Sequence, residues 1–233
     1  MQRRSILALI LAVCCAGCCT PGPILSPSRP NVIVFRGAAG YFPDLCEFED
    51  RLLEEGICPI VAWPGACGTI CERIIAARNN GQLQGPLVVV GYCAGADKAI
   101  LLSRGLRERG VTVDKLVLLE TSNECSVPGN VNQCVNIYKP QPWDDIMPLF
   151  SGRPVSAESP ETVVSNYNVR DHNDGRYDWD NYFTLTTNPY IQEMMVDEVV
   201  TALDETPEQE EITSQGGRDS PATAEVVPPP ADD

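Results

Sequence analysis

The sequence predicts an α/β protein built on a mostly parallel sheet with helices on both faces. Two observations carry that expectation. Short apolar runs rich in β-branched residues, Asn31 to Phe35, Leu87 to Val90 and Lys115 to Leu119, alternate with longer stretches of helical periodicity. Strands and helices alternating at this spacing give a parallel sheet, whose ligands bind beyond the carboxyl ends of the strands. A third observation fixes the centre. Leu87-Val88-Val89-Val90 runs into Gly91-Tyr92-Cys93-Ala94-Gly95, and a helix begins almost at once, over Ala94 to Leu106. A strand that reverses into a helix within about four residues presents one side chain in a strained position and needs small residues on either side. Cys93 is that side chain, and Gly91 and Gly95 are the small residues.

The remaining elements follow in order. Asn31 to Phe35 is the first core strand, left by the small-residue loop Arg36-Gly37-Ala38-Ala39-Gly40. Pro43-Asp44 opens a helix with Leu45, Phe48, Leu52 and Leu53 as its apolar face, and Gly56 ends it. Cys58 to Trp63 is the second strand. Thr69 and Glu72 have capping-box spacing, so a second helix is expected from there to Asn79-Asn80-Gly81. After the elbow and its helix, Lys115 to Leu119 is a fourth strand ending at Glu120-Thr121. Gln133 to Tyr138 and Thr162 to Val169 read as a fifth and a sixth, parted by a Pro-rich loop with Trp143, Asp144, Asp145 and Arg153. A long polar and aromatic loop, Arg170 to Thr187, precedes a last helix opened by Asn188-Pro189. Its buried stripe is Ile191, Met194, Met195, Val199 and Leu203.

Gly91-Tyr92-Cys93-Ala94-Gly95 is the Gly-x-Ser-x-Gly nucleophile elbow with cysteine in the serine's place. It resembles the cysteine elbow of the dienelactone hydrolases, which carry a further glycine where this chain has Ala96. The order of segments over residues 31–203 resembles a small lipase-, thioesterase- or cutinase-like α/β-hydrolase of minimal fold. The competing readings are an inert buried cysteine in a Rossmann-like turn and a phosphate loop. The Gly-x-Gly-x-x-Gly and Gly-Lys-Ser/Thr spacings of the latter do not follow the strand.

The resemblance implies hydrolysis of an ester, thioester or lactone through an acyl group on Cys93. Ala94, together with Arg36, Gly37 and Ala38, would supply the backbone N–H groups of an oxyanion hole. The base would be His172, the one histidine of the chain, in the loop before the last helix. The resemblance favours Glu120 as the acid, since Leu118-Leu119-Glu120 resembles the Leu-Ile-Asp spelling of some lipase-like members, with Asp144 and Asp145 as alternatives. In several lipase-like relatives the histidine is spelled Asn-His-Phe, and here Asn181-Tyr182-Phe183 stands in that place. Tyr182 in the histidine's seat would describe an inactive scaffold. A phenol of pKa about 10 is a poor base for a thiol near about 8.5. The alternative to a hydrolase is therefore a non-catalytic binding or structural module. A redox role for Cys93 lacks a Cys-x-x-Cys partner.

Charge and cysteine content bound the rest. The chain has 233 residues and a formal charge of −15, which argues against nucleic acid as a partner; a small acyl substrate or a protein is expected instead. Residues 204–233 hold nine acidic side chains against the single Arg218, with Pro228-Pro229-Pro230, and read as a disordered acidic tail. Residues 1–17, with Arg3-Arg4 before the apolar run Ile6 to Val13, read as a signal peptide. Ala16-Gly17-Cys18 resembles the end of a bacterial lipoprotein signal, which implies lipidation at Cys18, export to the cell envelope and a membrane anchor; plain secretion is the alternative. Residues 18–30 then form a Pro/Ser-rich tether.

Export favours disulfides. Of eleven cysteines, seven lie in the domain: Cys46, Cys58, Cys67, Cys71, Cys93, Cys125 and Cys134. Spacing pairs Cys125 with Cys134 and leaves two bridges of undetermined connectivity among Cys46, Cys58, Cys67 and Cys71, so that Cys93 is free. Zinc at Cys67-x3-Cys71 is the weaker alternative, and no cofactor or metal is expected.

Overall fold

The computed structural model describes residues 31–121, 123, 125–141, 152–172, 175 and 180–204. The signal segment, tether and Cys18, the acidic tail beyond Asp204, and Asp144 and Asp145 lie outside the described residues. Among the described residues no helix is long and apolar enough to cross a membrane.

The chain runs β1 (Asn31–Phe35), α1 (Leu45–Glu54), β2 (Ile60–Ala62), α2 (Cys67–Asn79), β3 (Leu87–Tyr92), α3 (Ala94–Arg107), β4 (Val113–Leu119), β5 (Ser126–Val127), β6 (Val131–Tyr138), β7 (Ser156–Ala157), β8 (Val163–Asn168) and α4 (Pro189–Asp204). Six strands form one sheet in the order β2-β1-β3-β4-β6-β8, and every pairing in it is parallel. The expected fold class is therefore the observed one. The elbow strand β3 lies between β1 and β4, with Val34 opposite Val90 and Val90 opposite Val117.

Each central strand is buried on both faces, which is why β3 is an unbroken apolar run without alternation. Its side chains nevertheless divide by parity. Leu87 and Val89 face one layer, where α2 and α3 pack through Ile70, Ile74, Ile100, Leu102 and Leu106. Val88, Val90 and Tyr92 face the other, against Phe48 and Leu52 of α1 and Ile191, Met195 and Val199 of α4. Side chains of this size contribute about 1.5–3 kcal/mol each on full burial. The two layers hold the sheet rigid beneath its carboxyl edge.

Three expectations are corrected. Helix α2 begins at Cys67, because the 3-10 turn Pro64–Ala66 runs directly into it. Ala66 stands at the N-cap without a side-chain bond, and Thr69 lies in the first turn instead of capping it. The two-residue strands β5 and β7, which pair parallel with each other, had no signal in the sequence at that length. The third correction concerns the cysteines.

None of the seven described cysteines is in a disulfide. Cys134 is 1% exposed on β6, opposite Leu116 and Val164, and its side chain belongs to the core. Burial pushes its thiol up to about 12. Cys125 immediately precedes β5, and its carbonyl accepts from the Ser156 N–H at 2.9 Å. Cys67 donates to the Lys98 carbonyl at 3.5 Å, and Cys71, one helical turn later, faces Gly105. Burial raises both thiols. No group of three or more potential metal ligands occurs among the described residues.

Candidate functional site around Cys93

Cys93 sits where β3 ends and α3 begins, with φ 56° and ψ −123°. A non-glycine residue there carries about 1–3 kcal/mol of strain and persists only where its surroundings over-determine it. The surroundings do so. The Cys93 N–H donates to the Leu119 carbonyl at 2.8 Å, extending the β3–β4 ladder one residue beyond the strand. The Cys93 carbonyl then accepts from Ala96 and Asp97 at 2.9 and 3.3 Å, which starts the helix. The turn is tight enough to forbid side chains on either flank. A Cβ at Gly91 would stand 2.5 Å from the Gly95 carbonyl oxygen, and one at Gly95 would collide with the carbonyl oxygens of Phe35 and Arg36.

The sulfur is half-buried, and among the described residues it has one hydrogen-bonding side chain beside it. Tyr182 donates its hydroxyl to Cys93 Sγ at 2.7 Å, and its ring is 1% exposed. The loop that brings it there is built locally and then clamped. Asn181 accepts from the Phe183 N–H through its side-chain oxygen at 2.9 Å, an Asx turn that aims the intervening Tyr182. Three clamps come from distant elements: Tyr92 Oη donates to the Tyr182 carbonyl at 2.8 Å, Tyr41 Oη to the Phe183 carbonyl at 3.0 Å, and Lys139 Nζ to the Asp180 carbonyl at 2.8 Å. Burial raises the Tyr92 phenol, with Cys93, Tyr41 and Glu120 adding to the effect, so it stays a donor.

His172 is elsewhere. It follows the short 3-10 turn Val169–Asp171 at the end of β8, is exposed, and stacks face to face on Tyr167 with ring centroids 4.0 Å apart and planes 4° apart. The structure brings Tyr182, not His172, to Cys93. The Asn181-Tyr182-Phe183 spelling was the signal for it. Glu120 is fully buried at the end of β4 with φ 58°. One carboxylate oxygen accepts from the Lys139 N–H at 3.0 Å, and the other packs where a Cβ of Gly152 would fall.

On the other side of the sulfur, Gly37 lies beside the elbow: a Cβ there would be 3.3 Å from that of Cys93. Its N–H donates to the Tyr41 carbonyl at 2.8 Å, so this proposed oxyanion donor is engaged within its own loop. The 3-10 turn Ala38–Gly40 uses Gly40 and Tyr41 as donors, which leaves the Ala38 N–H outside the turn's bonds. Ala94 is the first residue of α3, where helix geometry offers its N–H no intrahelical acceptor. The Arg36 N–H, like that of Gly37, is engaged, donating to the Ala62 carbonyl at 3.0 Å, while its guanidinium lies 5.9 Å over the Trp63 ring. Sequence reasoning missed the three clamping residues Tyr92, Tyr41 and Lys139, whose roles depend on contacts between distant segments.

No protein-family model matches the chain, and no curated protein sequence does. Solved structures do. Lipase B of Aspergillus fumigatus superposes with a TM-score of 0.53 at 13% identity, over 78% of this chain and 55% of that one. The RedJ thioesterase from the prodiginine biosynthetic pathway of Streptomyces coelicolor gives 0.47 at 10% identity, over 87% and 97%. Human thioesterase 2 gives 0.40 at 8% identity, over 76% and 97%. Identities this low speak to the fold alone.

Proposed function

We propose that this chain, whose fold is that of the α/β-hydrolases, takes an acyl group from an ester or thioester onto Cys93. The strained elbow is the observation that carries this reading. An inert core cysteine needs no positive φ, no forbidden Cβ on two flanking positions and no half-open sulfur. Cysteine is also the nucleophile least dependent on a neighbouring base, since a few per cent of an ordinary thiol is ionised at neutral pH. Tyr182 then stabilises the thiolate by its hydrogen bond, and Ala94 and Ala38 supply the N–H groups toward the tetrahedral oxygen.

A second reading is favoured by one observation: a phenol, not an imidazole, faces the sulfur. In that reading the scaffold is a non-catalytic module that binds a partner through the same cleft. Export and a lipid anchor at Cys18 remain part of the proposal in either case and rest on the amino-terminal sequence.

Incubation with p-nitrophenyl butyrate, followed by intact-mass measurement, separates the two. The acyl reading expects one butyryl adduct on Cys93 with one equivalent of p-nitrophenol released, and neither in Cys93→Ala. Absence of adduct and release from the folded protein leaves only the binding module.

A further inference from the structure

We infer that the acyl group on Cys93 is handed to a thiol and not to water, so that the chain acts as a thioester-exchanging acyltransferase. This rests on the acyl reading above and specifies the acceptor. Its basis is the pairing of Tyr182 with the sulfur in a chain that has one histidine, placed on the surface against Tyr167.

Acceptors differ in what they need from the protein. Water is far too weak an acid to ionise near neutral pH and must lose a proton as it attacks, so thioester hydrolysis depends on a base near the sulfur. No imidazole stands there, and Tyr182 is a hydroxyl donating toward Sγ with its ring closed to solvent. The Glu120 carboxylate, the other group expected to serve the site, accepts from the Lys139 backbone and is itself fully buried. A thiol of pKa about 8.5 needs no such help: about a quarter of it is thiolate at pH 8.

The exchange balances without a base. The Cys93 thiolate attacks the donor's carbonyl carbon, the donor C–S bond breaks, and the donor thiol leaves as its thiolate. An acceptor thiolate then attacks the Cys93 thioester, and the C–S bond to Cys93 breaks. The sulfur returns as the thiolate that Tyr182 hydrogen-bonds. No electron is gained or lost and no net proton is consumed. The leaving group in the second step is the atom toward which the phenol is aimed, a help common to both acceptors, so what separates exchange from hydrolysis is that a thiol arrives already ionised whereas water needs a base.

The test uses the full chain with butyryl-N-acetylcysteamine as donor and 2-mercaptoethanesulfonate as acceptor at pH 8, with both products measured by mass spectrometry. We expect the exchanged thioester to form at least about tenfold faster than butyrate, with its rate rising with acceptor concentration. Cys93→Ala should fall to background. Tyr182→His should raise butyrate release about tenfold or more by placing an imidazole at the sulfur. If wild type carries the butyryl adduct on Cys93 yet releases butyrate at a rate indifferent to the acceptor, this inference is overturned and the acyl site stands. If no adduct forms on Cys93, both fall. The wild-type measurement decides even where Tyr182→His does not fold.

Discussion

Tyr92 and Tyr182 are joined by a hydrogen bond from the hydroxyl of one to the backbone carbonyl of the other, 2.8 Å long and spanning 90 residues. Tyr92 is the last residue of the elbow strand and is fully buried among Phe42, Tyr41 and Tyr182. The residue before the sulfur thus fixes the loop whose side chain covers the sulfur. Tyr92→Phe keeps the ring and strips a buried carbonyl of this donor, at a cost of about 1–3 kcal/mol. Thermal denaturation should show a loss of about 2–12 °C for a domain of this size. An unchanged midpoint would mean that the bond contributes nothing net.

Removing the Tyr182 hydroxyl should slow Cys93. The hydrogen bond it donates to Sγ is worth about 1 kcal/mol, and about half of that is felt in the attack of the sulfur on an alkylating agent. Tyr182→Phe is therefore expected to lower the iodoacetamide alkylation rate of Cys93 at pH 7 by about two- to threefold, read by peptide mass spectrometry. A faster rate would show that the phenol shields the sulfur more than it activates it.

His172→Ala should leave acylation of Cys93 by p-nitrophenyl butyrate within about twofold of wild type, because the ring is on the surface against Tyr167. A loss of a hundredfold or more would show that the loop after β8 swings His172 to the sulfur during the reaction. Cys93→Ser is the complement. A hydroxyl with no imidazole beside it stays protonated, and the adduct should disappear although the side chain is nearly isosteric.

Gly95→Ala should abolish folding or reduce stability by more than about 3 kcal/mol. Its methyl group would meet two backbone carbonyl oxygens at the end of β1, and neither can move without breaking the sheet. Soluble expression and circular dichroism are sufficient measurements. Native-like stability would mean that the elbow is looser than its geometry.

Alkaline pH should destabilise the fold through Cys134. Its thiol is held up at about 12 by burial, against 9.0 for an exposed one. The folded state therefore keeps a proton that the unfolded state gives up, and stability, intact below about pH 9, falls as pH rises toward 12. The slope from this one group approaches about 1.4 kcal/mol per pH unit. Urea denaturation at pH 8.0, 9.5 and 10.5 should show a shallower decline in Cys134→Val than in wild type. Parallel declines would assign the effect to other groups, Tyr92 among them.

The parts of this protein legible from its amino acids were those governed by neighbours in the chain. An apolar β-branched run between Pro86 and a Gly-x-Cys-x-Gly spelling has few conformations open to it, so strand, turn and helix followed from residues 87–107 alone. Parity along β3 and the helical stripes then dictated the two-layered sheet. Closure of the site was decided by contacts across 90, 142 and 41 residues, from Tyr92, Tyr41 and Lys139 to one short loop. His172 and Tyr182 lie ten residues apart in that connection, and either was compatible with its length. The Asx turn at Asn181 and three donors from other elements seat the phenol, because each satisfies a loop carbonyl that water would otherwise have to reach. The same holds for the cysteines: spacing proposed bridges, but strand register turned Cys134 into the core, where it is a small apolar side chain and not a crosslink.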